Sequence, residues 1–241
     1  MRLILTPLLL IIVSSLNAQN LPTIQQESIQ APAKIKIDGK IDEWGNKFQA
    51  FNKSTQIYYT ISNDADNLYL SVQTIDFNTI KKILAGGITL TLNKFSKKKD
   101  SAVVSFTFPF YEKGQKLFSI SNQWVSENKT QIDSFAKAYN RQLPTAFKLI
   151  GVNGLKVIDN GSISIYNEDK IKAAVLFDKD MHYNYELAVP LNLIPFTTNE
   201  MLRINYNIQL NGQKSINGYA IESVPGRENI LLYVDSNGQR I

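Results

Sequence analysis

Cysteine is absent from all 241 residues. That excludes a disulfide framework and a lipid-bearing N-terminal cysteine, and it leaves the fold to its apolar core alone. Histidine occurs once, at His182, so a metal site of two or three imidazoles and a two-histidine relay are both excluded. A Ser-His-Asp arrangement would have to recruit that one ring, and no G-x-S-x-G turn accompanies it. Tryptophan occurs only at Trp44 and Trp124. Past residue 13 no apolar run approaches the roughly 20 residues that span a bilayer. Clustered charge is scarce too. The only basic run, Lys97-Lys98-Lys99, sits in a polar loop, whereas a nucleic-acid binder carries a basic patch or stripe on one element. No nucleic-acid partner is expected.

What is present begins with Met1-Arg2, an apolar run from Leu3 to Val13, and a small polar stretch ending Asn17-Ala18-Gln19. A charged start, an apolar stretch of about 7–15 residues and a small residue at the cut have the form of a secretory signal. Residues 1–18 are therefore expected to be a signal peptide cleaved after Ala18, with delivery to periplasm, cell surface or medium. No transmembrane segment is expected after its removal. The mature chain keeps 25 Lys and Arg against 21 Asp and Glu, a mild excess of about +4. Residues 19–33 hold two prolines and four glutamines and read as a linker. Residues 34–241 read as one domain.

The dominant period in that domain is two. Ile57, Tyr59 and Ile61 alternate with polar or half-polar neighbours, as do Leu68, Leu70 and Val72, then Ile88, Leu90 and Leu92, then Val104, Phe106 and Phe108. Tyr183, Tyr185, Leu187 and Val189 alternate with Asn184, Glu186 and Ala188; the longest case runs from Leu202 to Leu210. Such alternation marks strands with one face in the core and one in water. Asn63 to Asn67 and Asn211-Gly212-Gln213 read as hairpin loops. Two segments have helical spacing instead, Thr79 to Leu84 and Lys129 to Arg141, the latter with Ile132, Phe135, Ala136 and Tyr139 on one face. The expected fold class is all-β, a two-sheet antiparallel β-sandwich of jelly-roll type with one or two short helical excursions.

Three motifs sharpen this. They are Ile35-Lys36-Ile37-Asp38-Gly39-Lys40-Ile41-Asp42-Glu43-Trp44-Gly45, then Asn63-Asp64-Ala65-Asp66-Asn67-Leu68-Tyr69-Leu70-Ser71-Val72, then Tyr185-Glu186-Leu187-Ala188-Val189-Pro190-Leu191. In this order they resemble the opening strand and turn, the hairpin and a late strand of the family 9 carbohydrate-binding modules, over about residues 34–195. In the first motif Asp38-Gly39 suits a turn with a positive φ, Asp42 and Glu43 can accept from turn amides, and Trp44 reads as core.

The resemblance implies a sugar held between aromatic rings with polar side chains around it. Trp124, in a polar irregular stretch, is the candidate platform, with Tyr111, Tyr139 and Arg141 as partners. The other reading of Trp124, that it packs under the helix following it, stands beside this. Some members of the family carry structural calcium. Here Asn63, Asp64, Asp66 and Asp76 offer oxygen ligands, in a spacing unlike that of an EF-hand loop. No cofactor is otherwise expected. The function implied is non-catalytic binding of an oligo- or polysaccharide, supporting its recognition or breakdown. The alternatives are an envelope interaction module whose sugar groove is lost, and a glycoside hydrolase using a carboxylate pair.

Overall fold

The computed structural model describes residues 21–45, 47–94, 103–121, 123–126, 128–155, 158, 161–195, 203–215, 218–223 and 228–231. The signal expected at 1–18 and the run Lys97–Lys99 lie outside the described residues. In chain order the strands begin with β1 (Ile29–Gln30), β2 (Ala50–Asn52), β3 (Ile57–Asn63), β4 (Asn67–Thr74), β5 (Ile88–Lys94), β6 (Val103–Phe108) and β7 (Leu149–Asn153). They continue with β8 (Ser162–Ser164), β9 (Lys172–Phe177), β10 (Tyr183–Pro190), β11 (Arg203–Ser215), β12 (Gly218–Ser223) and β13 (Glu228–Leu231). The helices are α1 (Phe77–Gly86), α2 (Lys129–Asn140) and the single turn α3 (Leu143–Ala146).

The strands form two sheets. One runs β1-β3-β4-β10-β9 with β2 also on β3, and the other runs β12-β11-β5-β6-β7-β8 with β13 also on β11. The pairings are antiparallel except for β1, which lies parallel to β3. This is the sandwich that the alternation predicts. The inward residues of both sheets share one buried cluster. Tyr59 meets Tyr206 across the layers, with ring centroids 6.5 Å apart and hydroxyls 3.1 Å apart. Phe108 meets Tyr185 in the same way at 6.2 Å. Each fully buried large side chain contributes about 1.5–3 kcal/mol, so this cluster supplies the main driving force.

The β3–β4 hairpin forms where Asn63 to Asn67 predict it. Asp64 Oδ1 accepts from the amides of Asp66 (2.9 Å) and Asn67 (2.7 Å), and its Oδ2 accepts from the Tyr69 hydroxyl (2.6 Å). The second expected hairpin, at Asn211-Gly212-Gln213, is not a turn. β11 runs on to Ser215, and a register shift against β12 between Asn211 and Lys214 absorbs the irregularity as a bulge.

Two further differences concern the N-terminal part. Residues 21–33, expected to link, are laid against the sandwich instead. Gln25 is buried, donates from Nε2 to Ile61 O and accepts at Oε1 from Ile61 N, both at 2.7 Å, and so extends β3 as a strand would. The Gln25 amide also donates to the Tyr59 hydroxyl. Glutamine-rich composition suggested a solvated linker; here one amide side chain satisfies an open strand edge. The second difference is β10, where all eight residues are buried, including Asn184, Glu186 and Ala188 on the face expected to be wet. The chain from Ala31 to Phe48 folds over that face. Ala31, Ile35, Ile37, Ile41, Trp44 and Phe48 pack there against Tyr69 and Ala188 as a second apolar cluster.

Candidate functional site

The opening motif is a clasp on this second cluster. Glu186 Oε2 accepts from the amides of Asp38 (3.1 Å) and Gly39 (2.8 Å), and its Oε1 accepts from Trp44 Nε1 (3.1 Å). Asp38 Oδ1 accepts from the Lys40 amide, and the Asp42 carbonyl from the Gly45 amide. Gly39 has φ +84°, and a Cβ there would meet the Val175 carbonyl carbon at 2.6 Å. Only glycine fits. Trp44 is buried and packs T-shaped with Tyr69, at 6.2 Å and 65°. Glu43 Oε2 is buried and unpartnered. Burial pushes the Glu186 carboxyl up, the indole and the two amides pull it back, and nearby Glu43 adds to the rise, leaving it at about 7. Asp38, Gly39 and Trp44 thus hold the N-terminal segment down.

The other chemistry gathers where α1, α2, α3 and the 109–121 excursion cover one end of the sandwich. Asp76 caps α1 by accepting from the Thr79 amide at 2.7 Å, and Ile80, Ile83 and Leu84 bury its inner face. Helical spacing then puts Asn78, Lys81, Lys82 and Ala85 on the side away from the core. The Tyr111 hydroxyl donates to Leu84 O at 2.6 Å and accepts from the Phe118 amide at 3.2 Å, pinning the excursion to α1. Tyr139, on α2, accepts from the Ser121 amide at 3.0 Å and pins its far end. Asn140 bonds both backbone groups of Phe177, donating to its carbonyl (2.7 Å) and accepting from its amide (2.8 Å). That anchors the C-terminus of α2 on β9 and fixes where Arg141 begins. Phe118 lies edge-on to Phe147 (5.5 Å) and Tyr139 (6.2 Å), half-buried over this aromatic bed.

Two depressions flank the 117–119 strip. One, about 450 Å³, is lined by Lys116, Arg141, Gln142, Thr145 and Ala146. The other, about 610 Å³, is lined by Asn78, Lys81, Lys82, Leu84, Ala85 and Ile120. Leu117, Phe118 and Ser119 line both. Their sizes are those of small-ligand sites, and they combine one ring, amides, hydroxyls and cations.

Of the residues singled out in the sequence, Tyr111, Tyr139 and Arg141 come together around Phe118. The two tyrosine hydroxyls are engaged with backbone, and burial raises the Tyr111 hydroxyl above its ordinary range. Only Arg141 stands on the wall. Trp124 lies further along, half-buried against the core and edge-on to Phe77 at 6.0 Å, with Nε1 buried and unpartnered. Phe118, Lys116, Lys81, Lys82 and Gln142 were missed. The spacing 78, 81, 82, 85 opposite 80, 83, 84 was the available signal for the α1 wall.

The carboxylates considered for calcium are not brought together. Eight-residue β4, roughly 26 Å long at strand rise, separates Asp64 and Asp66 at one end from Asp76 at the other. Asp64 is spent on the hairpin and Tyr69, and Asp76 on the α1 cap. Closeness in sequence suggested one site, but an extended strand carries the chain away. Among the described residues no group of three or more His, Cys, Asp or Glu could hold a metal ion. His182 Nδ1 sits 2.9 Å from Asp178 Oδ2, closing the turn between β9 and β10.

No protein-family model matches the chain, and no curated protein matches it. Among solved structures it is similar to a family 9 carbohydrate-binding module from Caldicellulosiruptor kristjanssonii in complex with glucose. The identity is 12%, the similarity covers 88% of this chain and 98% of that one, and the TM-score is 0.41. A structure of such a module from the same organism in complex with cellotriose has 10% identity, covers 90% and 98% of the two chains, and has a TM-score of 0.37. A candidate carbohydrate-binding protein from Bacteroides uniformis has 10% identity, coverage of 87% and 99%, and a TM-score of 0.40.

Proposed function

We propose that this chain is an exported, non-catalytic carbohydrate-binding protein that supports the recognition or breakdown of a polysaccharide. The observation that carries the reading is the pair of depressions joined at Phe118. The half-buried Phe118 ring at the shared edge supplies apolar surface for pyranose C–H groups, while Asn78, Gln142, Ser119 and Thr145 can read hydroxyls on either side. The motif resemblance at Ile37–Trp44 points the same way, and the N-terminal signal motif supports export. A glycosidase would need two carboxylates on its cleft, roughly 5–9.5 Å apart. Among the described residues neither depression is lined by Asp or Glu, and Glu186 is fully buried under the clasp, which supports a non-catalytic role. Affinity electrophoresis of the mature protein through gels containing soluble neutral and acidic polysaccharides tests the reading. Retardation by at least one polysaccharide is expected; migration unchanged in all of them would overturn it.

A further inference from the structure

We infer that the carbohydrate held at this end of the sandwich is acidic, an oligosaccharide bearing uronic-acid carboxylates; this rests on the carbohydrate-binding reading above. The rim of the paired depressions is cationic on both flanks, with Lys116 and Arg141 on one and Lys81 on the other, and among the described residues no Asp or Glu lines either. Lysine and arginine side chains only donate hydrogen bonds. A neutral sugar presents hydroxyls that both donate and accept, so a rim made for it would include acceptors at its strongest positions. A carboxylate only accepts, so the charged positions of this rim, which only donate, are its complement.

Geometry adds to the charge. Asn140 fixes the end of α2 on Phe177, so the guanidinium of Arg141 starts from an anchored backbone. Its planar fork matches a carboxylate in bidentate fashion. Lys81 Nζ sits 5.4 Å above the Phe77 ring, held toward α1. The flanks share Leu117, Phe118 and Ser119, so a chain crossing that strip meets cations before and after the one ring, and successive acidic residues can pair on both sides. The Asn78 amide, the Gln142 Oε1 (its Nε2 donates to Ala138 O) and the hydroxyls of Ser119 and Thr145 face the sugar hydroxyls. A third depression, on the outer face beside Tyr69, carries Lys36, Lys170 and Lys172. It adjoins one that includes Asp66, and it supplies control positions.

The test is isothermal titration of the mature protein with trigalacturonic acid, its methyl ester, cellotriose and polyphosphate, at low and high salt. Trigalacturonic acid is expected to bind at least tenfold more tightly than its ester or cellotriose, with affinity falling as salt screens exposed charges. K116Q/R141Q and K81Q should each weaken the acid severalfold, while K170Q/K172Q leaves it unchanged. Equal binding of cellotriose and the acid would overturn the acidic class and leave the carbohydrate reading standing. Equal binding of polyphosphate would reduce the effect to general charge attraction and overturn the inference. Acid binding unaltered by K116Q/R141Q and K81Q but lost in K170Q/K172Q would overturn its location. Binding of no saccharide would overturn the carbohydrate reading as well.

Discussion

Glu186 and Trp44 lie 142 residues apart in the chain and are joined by a 3.1 Å hydrogen bond from the indole Nε1 to a carboxylate oxygen in full burial. With the amides of Asp38 and Gly39 on the other oxygen, this bond explains why an Asp-Gly turn is followed by a tryptophan five residues later. The motif fastens a cover over the outer face of a sheet.

The clasp carries a pH dependence. A carboxyl raised from 4.5 to about 7 in the folded state is more easily protonated there than in the unfolded chain. Its stabilising contribution is complete below about pH 4.5 and is lost as the pH rises through about 7. That loss amounts to about 3 kcal/mol at full extent. Denaturant unfolding at pH 5 and pH 8.5 should show wild type losing stability at the higher pH, and E186Q losing distinctly less. Equal slopes would remove Glu186 as the cause.

Trp44→Phe keeps most of the apolar bulk and deletes the indole donor. It should cost about 1–3 kcal/mol, the penalty for leaving a buried acceptor short of a partner. Equilibrium urea unfolding measures this, and a change below about 0.5 kcal/mol would mean that the Trp44–Glu186 bond contributes little.

Gly39→Ala strains a φ of +84° and drives a methyl group into backbone at 2.6 Å. A loss above about 2 kcal/mol, or failure to fold, is expected. A variant as stable as wild type would contradict the close approach of the 38–39 turn to β9.

Tyr111→Phe removes the bridge between Leu84 O and the Phe118 amide. Hydrogen exchange across residues 111–120 should quicken while the strands keep their protection. Stability should fall by about 1 kcal/mol. Unchanged exchange there would show that the excursion is held by its rings alone.

Trp124 separates two roles for its ring. Its Nε1 is buried without a partner, so Trp124→Phe discards an unsatisfied donor and keeps the contact with Phe77. Thermal unfolding should place the variant within about 1 kcal/mol of wild type, since the relieved donor offsets the lost ring volume. A loss above about 2 kcal/mol would mean that the indole as a whole is needed for packing.

The strands were legible because one face of each is apolar: the alternations at 57–61, 68–72, 88–92, 104–108 and 202–210 became β3, β4, β5, β6 and β11. The role of Glu186 was not. Alternation assigns it to water, and only the return of the Ala31–Phe48 segment, from far away in sequence, buries it. The same holds for Gln25, whose composition-level signal was that of a linker. At the end of the sandwich, aromatic residues drew attention to Tyr111 and Tyr139, but sequence does not say which way a hydroxyl turns. Both proved to be fasteners, and the wall they support is made of lysines and Arg141, which on a strand or helix look like ordinary solvated residues. Asp76 was grouped with Asp64 because eleven intervening residues look short until β4 extends them.

The most direct measurement is a titration of isotope-labelled mature protein with trigalacturonic acid and with cellotriose, followed by amide chemical shifts. Saturable shifts are expected at residues 78–85, 116–120 and 141–146, larger for the acid, with Asp38, Gly39 and Glu186 unmoved. Shifts gathered anywhere else, or none with either sugar, would contradict the proposed site.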